Sequence, residues 1–132
     1  MTKITLTFAP YRTGPSLRAE IDAVVRGDLA VHRHAWVGGD GELVCGKSWT
    51  VSHIPTGHKL ESALPLDLRT SARRADLVAW AEYVQEKCPT FFAEARKPDY
   101  EARMLTGDRA VRDLAQDVVN RGRGYLWRKH NG

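Results

Sequence analysis

Apolar and polar residues alternate strictly in parts of the N-terminal half, and this period of two is typical of half-buried β-strands. Residues 3–9 alternate apolar side chains with lysine and threonine. Residues 30–54 hold two further alternating runs on either side of a Gly-Gly-Asp-Gly turn, in which Asp40 and Gly41 suit a tight hairpin. We therefore predict an N-terminal strand and, after an intervening segment, a long β-hairpin.

The alternation divides the hairpin side chains between two faces. We assign the face with the larger apolar side chains to the core, and it holds His32, His34, Trp36, Leu43, Cys45, Lys47, Trp49, Val51 and His53. The opposite face carries Arg33 and a row of small residues, Gly46, Ser48, Thr50 and Ser52. We expect this second face to lie toward solvent, where its flatness would allow a homodimer.

Two segments next to the hairpin have less regular patterns. Leu17, Ile21, Val24 and Val25 fall at helical spacing before Gly27, so we predict a helix that ends there. Residues 59–68 carry leucines at even positions and are interpreted as a further strand at an edge of the sheet.

After residue 70 the hydrophobic period changes to 3.6 residues, which indicates helices. A helix capped by Thr70 or Ser71 and running to about Lys87 would bury a stripe made of Leu77, Trp80, Val84 and Cys88. Short helices follow at 90–96 and after Pro98, and a last long helix begins at Asp108 and ends at Gly122 and Gly124. The predicted fold is α+β: one domain over 1–132, in which a small antiparallel β-sheet, made of the N-terminal strand and the long hairpin, is covered by helices from the C-terminal half.

The composition is that of a globular protein. Of the 132 residues, 42% are hydrophobic and 27% charged, and no apolar run approaches the length of a membrane span. The N-terminus lacks the pattern of a signal peptide, so we expect a cytoplasmic protein without a membrane partner. In that compartment Cys45 and Cys88 are expected to be reduced and buried.

The net charge of +4 comes from the end of the chain. Residues 121–132 contain four basic side chains and no acidic one, so the remaining 16 basic side chains equal the 16 acidic ones in number. We interpret 121–132 as a basic C-terminal tail, and its candidate nucleic-acid contacts are Arg121, Arg123, Tyr125, Trp127, Arg128 and Lys129. The alternative is that the aromatic residues of the tail fold back onto the core while its charges stay in water.

No catalytic or cofactor motif is convincing. Residues 41–48 match the phosphate-binding pattern G-x4-G-K-[ST], but they lie in a strand-forming segment and no helix follows. His32 and His34, with Cys45 across from them and His53 further along the same face, could supply metal ligands, yet no second cysteine lies nearby and no acidic residue has the spacing to complete a known site. A Cys–His pair would need an exposed, activated thiol, whereas Cys45 is expected to be buried. We expect a non-enzymatic protein that needs no cofactor and no metal.

The segment Trp49-Thr-Val-Ser-His-Ile-Pro-Thr-Gly57 resembles a strand and turn found in short uncharacterised proteins of bacteriophages and prophages. The resemblance covers residues 49–57 only and carries no functional residue across. It implies a small phage accessory protein in the host bacterial cytoplasm, of the type that anti-CRISPR proteins exemplify. Such a protein would inhibit or modulate a bacterial defence or replication complex by protein–protein contact, with Arg33, His58 and Lys59 as solvent-facing candidates besides the tail. The alternative is a nucleic-acid-binding module that uses the tail on DNA or RNA.

Overall fold

The computed structural model describes residues 1–10, 12–69 and 73–125. Four strands form one antiparallel sheet in the order β1-β2-β3-β4, and they are β1 (Thr2–Phe8), β2 (Leu17–Arg26), β3 (Leu29–Val37) and β4 (Leu43–His53). Two 3₁₀ turns follow, Glu61–Ala63 and Leu66–Leu68, and then four helices: α1 (Arg74–Lys87), α2 (Pro89–Ala95), α3 (Tyr100–Leu105) and α4 (Arg109–Arg123). The predicted α+β class, with an antiparallel sheet and helices from the C-terminal half, is confirmed. In the parts of the chain just named, no helix combines the length and apolar character that crossing a membrane requires.

The segment predicted as a first helix is the strand β2. It pairs with β1 along its first seven residues, with Leu17 opposite Phe8 and Ile21 opposite Ile4. Its apolar residues fit a period of two as well as 3.6, and its β-branched side chains favour a sheet. Pairing with both β1 and β3 decides between the two patterns. Gly27 has a φ of 59° and forms the turn into β3 instead of ending a helix.

The sheet curls so that β1 approaches the far end of β3. β2 pairs with β3 through only four residues, from Ala23 to Arg26, which leaves the first part of β2 free to bend away. The backbone N–H of Val37 in β3 then donates to the carbonyl of Ala9, at 3.0 Å. The curl encloses a small core made of Leu6, Phe8, Ile21, Ala35 and Val37.

The length of the turn changes which hairpin side chains share a face. Val37 pairs with Leu43, so the five residues 38–42 connect the strands, and this odd number places Arg33 opposite Trp49 instead of on the other face. The register also shifts by two residues of β4 between the pairs Arg33–Trp49 and Ala35–Cys45, which leaves the shared faces unchanged.

His32, Val51 and His53 are buried as expected, but Cys45 and Lys47 are exposed, contrary to the predicted core face. On the other face, Thr50 and Ser52 are 1% and 2% exposed, whereas Ser48 is exposed, so the row of small residues faces solvent over only part of its predicted length.

The main core lies between the sheet and the helices. The predicted stripe of α1 is confirmed, since Leu77, Trp80, Val84 and Cys88 are all buried. The short helices predicted at 90–96 and after Pro98 are confirmed as α2 and α3, with bounds within one or two residues of the predicted ones. The proposed caps of α1 at Thr70 and Ser71 lie outside the described residues.

Gly122 lies inside α4 instead of ending it. The helix continues to Arg123, and Gly124 caps it. A Cβ at Gly122 would lie 2.3 Å from the carbonyl oxygen of Ala63 and 2.9 Å from Cζ2 of Trp80. A glycine is therefore needed here because the first 3₁₀ turn packs directly on the α4 backbone.

Residues 59–68 form the two 3₁₀ turns and not the predicted edge strand. Lys59 makes a single isolated bridge with Ser52 of β4, and the strand pairing goes no further. Leu64 and Leu68 are buried as expected, but Leu66 is 76% exposed. Pro65 interrupts the segment, because proline cannot donate to a strand ladder.

Candidate functional site

Trp49 of β4 lies on the surface next to two arginines from different parts of the chain. Arg33 of β3 is the residue paired directly with Trp49 across the hairpin. Arg74 is the first residue of α1. The sequence interpretation placed Trp49 in the core on the face opposite Arg33, which is wrong, whereas the expected exposure of Arg33 is confirmed. Trp49 is only partly buried, with part of its ring packed against the main core.

Both guanidinium groups lie over the indole ring of Trp49. The Cζ atoms of Arg33 and Arg74 are 4.8 Å and 5.7 Å from the ring centroid. These distances are within the range of cation–π attraction, which contributes about 0.5–1 kcal/mol at exposed sites. We call Arg33, Trp49 and Arg74 the Arg–Trp surface.

Few hydrogen bonds occupy the guanidinium groups of the Arg–Trp surface. Nη1 of Arg33 donates to the carbonyl of Lys47 at 3.1 Å, and Nη1 of Arg74 lies 3.5 Å from the sulfur of Met1. A guanidinium has five N–H donors, so most donors on each arginine have no protein acceptor within the described part of the chain. Both arginines are exposed and can donate to a ligand.

The charges of the Arg–Trp surface are not neutralised by carboxylates. Within residues 1–10, 12–69 and 73–125, neither Arg33 nor Arg74 has a carboxylate oxygen within 4.0 Å. Arginines elsewhere do have one, and these are Arg26, Arg96, Arg103 and Arg121. The hydrogen bonds from Lys97 and then Arg103 even hold the pKa of the Glu94 carboxyl below its ordinary value. Arg33 and Arg74 are thus among several arginines without a carboxylate partner in the described residues, and what distinguishes them is their position over the ring of Trp49.

A second pair of arginines meets at the first 3₁₀ turn. Nε of Arg123 donates to the carbonyl of Ser62 at 2.7 Å, and Nη2 of Arg69 donates to the same oxygen at 3.4 Å. Neither has a carboxylate partner among the described residues. Arg69 is five residues before Arg74, so their Cα atoms are at most about 18 Å apart.

The residues proposed for a C-terminal arm have different environments. Arg121 belongs to α4 and donates through Nε to Asp117, at 3.0 Å and 3.1 Å from the two carboxylate oxygens. Tyr125 is 6% exposed and packs on Tyr83, with their ring centroids 4.9 Å apart. It is therefore in the core and not available for stacking on bases. Trp127, Arg128 and Lys129 lie outside the described residues.

His58 and Lys59 lie together in the loop after β4 and are exposed, as predicted. Nε2 of His58 is 3.8 Å from a carboxylate oxygen of Glu101. Nζ of Lys59 is 3.4 Å from Nδ1 of His34, and Nε2 of His34 is 3.7 Å from Glu61. The loop carries both signs of charge and offers less unpaired positive charge than the Arg–Trp surface.

The metal and cysteine hypotheses gain no support from the geometry. His32 is fully buried, with Nδ1 2.7 Å from the carbonyl of Arg33 and Nε2 2.8 Å from Oγ of Ser52. Its burial holds the pKa of His32 below the ordinary histidine value. Over the described ranges, no three His, Cys, Asp or Glu side chains are grouped as metal ligands would be.

The two cysteines have different environments. Cys45 is exposed, contrary to expectation, and Cys88 is buried, with neither in a disulfide. Burial raises the pKa of the Cys88 thiol to about 11, and Asp117 acts in the same direction. A thiol with so high a pKa is a poor nucleophile at neutral pH.

The phosphate-loop match of residues 41–48 lies in the hairpin. Gly41, with a φ of 83°, is in the turn, as predicted, and Gly46 and Lys47 are in the middle of β4. No helix begins at Lys47, so the match lacks the geometry that would wrap a phosphate.

Comparisons with known proteins do not add to these assignments: no family model, curated protein or solved structure matches this chain. The candidate site therefore rests on the geometry of the chain itself.

Proposed function

We propose that this protein is a non-enzymatic nucleic-acid-binding protein whose Arg–Trp surface contacts single-stranded DNA or RNA. The observation that carries the proposal is the placing of two exposed guanidinium groups, both without carboxylate partners in the described chain, over a partly exposed tryptophan on a β-sheet. Sheets that bind single strands use this combination, with cations on phosphates and aromatic rings under bases.

The chemistry of the surface favours unpaired bases. A base can stack on the accessible part of Trp49 or on a guanidinium plane, and such stacking is worth about 1–3 kcal/mol per base. Bases in a duplex are stacked on each other and offer no free face. The donors of Arg33 and Arg74 that have no protein acceptor are suited to phosphate oxygens.

The nucleic-acid contact proposed here lies on the sheet and not in the C-terminal tail, where the sequence analysis placed it. Arg121 is paired with Asp117 and Tyr125 is buried, so the part of the tail that the structure describes supplies little to an arm. Arg123 remains a contributor, because it lies beside Arg69 at Ser62 without a carboxylate partner among the described residues.

Binding of a labelled oligothymidine of about 12 nucleotides, followed by fluorescence anisotropy, tests the proposal. The double variant Arg33→Gln/Arg74→Gln is expected to bind roughly tenfold more weakly or worse, since two phosphate contacts are lost. The matched control is Arg109→Gln/Arg112→Gln, which removes the same charge from exposed positions of α4. Equal weakening in both double variants would mean that net charge alone drives binding, and absence of binding by the intact chain would refute the proposal.

A second candidate function is inhibition of a bacterial defence or replication complex by protein contact, as a phage-encoded protein in the host cytoplasm would do. One observation favours it: tryptophan and arginine are the residue types that most often dominate protein interfaces, and Val44 is also exposed on the hairpin, at 38%. This candidate predicts a stoichiometric complex that survives nuclease treatment and is lost in Trp49→Ala. A complex that dissolves when nucleic acid is digested would favour the first proposal.

A further inference from the structure

A groove opens where the sheet curls. The pairing of β2 with β3 ends at Ala23 and His32, and the end of β1 meets β3 again at the bridge between Pro10 and Val37. The stretch of β3 between these two points faces a groove of about 570 Å³. Pockets for small organic molecules have volumes of about 300–1,000 Å³. The lining of the groove consists of residues 7–10 and 34–36, with Gly57 and Lys59 from the loop after β4.

Most of this lining is apolar. Phe8 and Ala35 are almost fully buried in it, at 3% and 2% exposed, while Pro10 and Trp36 are partly exposed. The ring of Trp36 packs against β4 at Gly46, where an added Cβ would lie 3.2 Å from Cζ3 of the indole. Because Gly46 has no side chain, the indole lies close to the sheet and forms a fixed wall. An aromatic ring of a ligand can pack on such a wall.

A single cation lies at the loop side of the groove. Among the described residues that line it, Lys59 alone carries a lysine, arginine or carboxylate group. Its Nζ is 3.4 Å from Nδ1 of His34, and Nε2 of His34 is 3.7 Å from Glu61, which is not part of the lining. An ammonium group has three N–H donors, so two remain for a ligand.

The charge of Lys59 is not neutralised by a carboxylate. Within residues 1–10, 12–69 and 73–125, no carboxylate oxygen lies within 4.0 Å of its Nζ. Lys3 and Lys97, by contrast, pair with Asp22 and Glu94. The groove therefore combines a mainly apolar lining with one exposed, unneutralised cation.

We propose that this groove binds an organic anion with one aromatic ring system and one carboxylate, in which the ring packs on Trp36 and the carboxylate accepts hydrogen bonds from Nζ of Lys59. A charge-assisted hydrogen bond of this kind is stronger than one between neutral groups. A second charge on the ligand would be placed against the apolar lining, which disfavours it. A free aromatic acid and the C-terminus of a peptide that ends in an aromatic residue share this chemistry.

The groove is separate from the Arg–Trp surface. His34 and Trp36 lie on the face of β3 opposite that of Arg33, since side chains alternate along a strand. The proposal thus does not depend on nucleic-acid binding.

Titration of the isotope-labelled full chain with N-acetyltryptophan, followed by NMR, tests the proposal. N-acetyltryptophanamide is the matched probe, because it has the same ring and no carboxylate. Saturable shifts are expected at the indole N–H of Trp36 and at the backbone N–H groups of Ala35 and Gly57. The acid should bind roughly two- to fivefold more tightly than the amide, as expected for one partly exposed ion pair.

Two lysine variants sharpen the test. Lys59→Met keeps the apolar stem and removes the charge, so it should weaken binding of the acid roughly two- to fivefold and leave binding of the amide unchanged. The matched control is Lys47→Met, which removes the same charge from an exposed position of β4 outside the groove and should leave both affinities unchanged.

Two further probes distinguish the possible sources of the ligand. Tighter binding of indole-3-acetate than of a tetrapeptide that ends in tryptophan with a free carboxylate would indicate a free aromatic acid. Tighter binding of the tetrapeptide would indicate a peptide C-terminus, and either result supports the shared chemistry.

Three results would overturn the proposal. The first is equal binding of acid and amide to the intact chain, and the second is saturable shifts at the indole of Trp49 without any at the groove. The third is equal weakening of acid binding by Lys47→Met and Lys59→Met, which would make net charge the cause. The first two results are read on the intact chain, so they hold even if a variant fails to fold.

Discussion

Trp80 and Trp49 show two different uses of the same side chain. Trp80 of α1 is 0% exposed, and its indole N–H donates to the carbonyl of Gly122 at 3.1 Å. Trp49 of β4 stays partly exposed beneath the guanidinium groups of Arg33 and Arg74. The first ring is surrounded by packed apolar groups, and the second meets cations that have no carboxylate partner in the described chain.

Trp80 stabilises the fold, whereas Trp49 remains accessible to a binding partner. Burying a tryptophan and satisfying its single donor stabilises the core, and nothing at Trp80 remains available to a ligand. At Trp49, part of the ring and most of the arginine donors remain accessible. Variants at the two regions should therefore affect different properties of the protein.

The largest effect is expected from Gly122→Ala in the Trp80 region. The new Cβ would lie 2.3 Å from the carbonyl oxygen of Ala63, so the 3₁₀ turn and α4 must separate. We expect a loss of roughly 3 kcal/mol in the free energy of unfolding, at the upper end for overpacking. Urea unfolding measures it. Gly124→Ala is the control, since its Cβ would lie no closer than 3.3 Å to any other residue, and a similar loss there would disprove the packing explanation.

Lowering the pH should reduce the free energy of unfolding through the buried histidines of the core and leave the Arg–Trp surface unchanged. The pKa of His53 is about 4 in the fold against 6.5 when unfolded, so the unfolded state binds the proton more readily. The stability that this pKa difference contributes is complete above pH 6.5 and is lost as the pH falls toward 4. We expect a loss of about 2 kcal/mol by pH 4, and burial of His32 adds to it in the same direction.

Unfolding by urea at several pH values measures this dependence. His53→Leu should flatten the curve below pH 6.5. If the wild-type and His53→Leu curves ran parallel, the buried neutral imidazole could not be the cause.

Trp49→Ala should weaken nucleic-acid binding more than it lowers stability, which is the opposite of the effect expected from Gly122→Ala. We expect binding to a single-stranded oligonucleotide to weaken roughly tenfold, which is the loss of one stacked base. Stability should fall less than in Gly122→Ala, because the ring is only partly buried. Trp49→Phe keeps an aromatic face and should restore most of the affinity. A Trp49→Ala variant that binds as tightly as the wild type would exclude the ring from the contact.

The smallest effect on binding is expected from Arg103→Gln. Arg103 pairs with Glu94 at 2.8 Å and with Asp108 at 2.9 Å, so its charge is already neutralised within the protein. Its removal should lower the thermal midpoint slightly and leave oligonucleotide affinity unchanged. A loss of affinity as large as that at Arg33 or Arg74 would show that pairing with carboxylates does not decide which arginines bind.

The sequence predicts the helical half of this fold better than the sheet half. The stripe of Leu77, Trp80 and Val84 fits a single period, so its burial follows from the pattern alone. β2 fits both periods, and its partner β1 decides between them. The register shift beside Arg33 lies opposite residues 46–48 of β4, and Gly46 is the one residue there that signals a strand irregularity.

The sequence predicts only part of the candidate site. Arg33 was recognised as exposed, but its pairing with Trp49 depends on the strand register, which the turn between Val37 and Leu43 and the shift between Ala35 and Arg33 set together. Arg74 reaches the same ring from α1, 25 residues after Trp49 in sequence, and only the tertiary fold brings it there. The pairing of Arg121 with Asp117, at helical spacing i and i+4, could have been expected from the sequence.

The salt dependence of oligothymidine binding tests the central claim most directly, measured between about 50 and 200 mM salt. Each phosphate contact to a single strand contributes about 0.7 to the slope of log K against log salt concentration. The account predicts that Arg33→Gln/Arg74→Gln reduces the slope by about 1.4, and that Arg109→Gln/Arg112→Gln leaves it as in the wild type. Identical slopes for the wild type and the Arg33→Gln/Arg74→Gln variant would contradict the claim that the Arg–Trp surface is where nucleic acid binds.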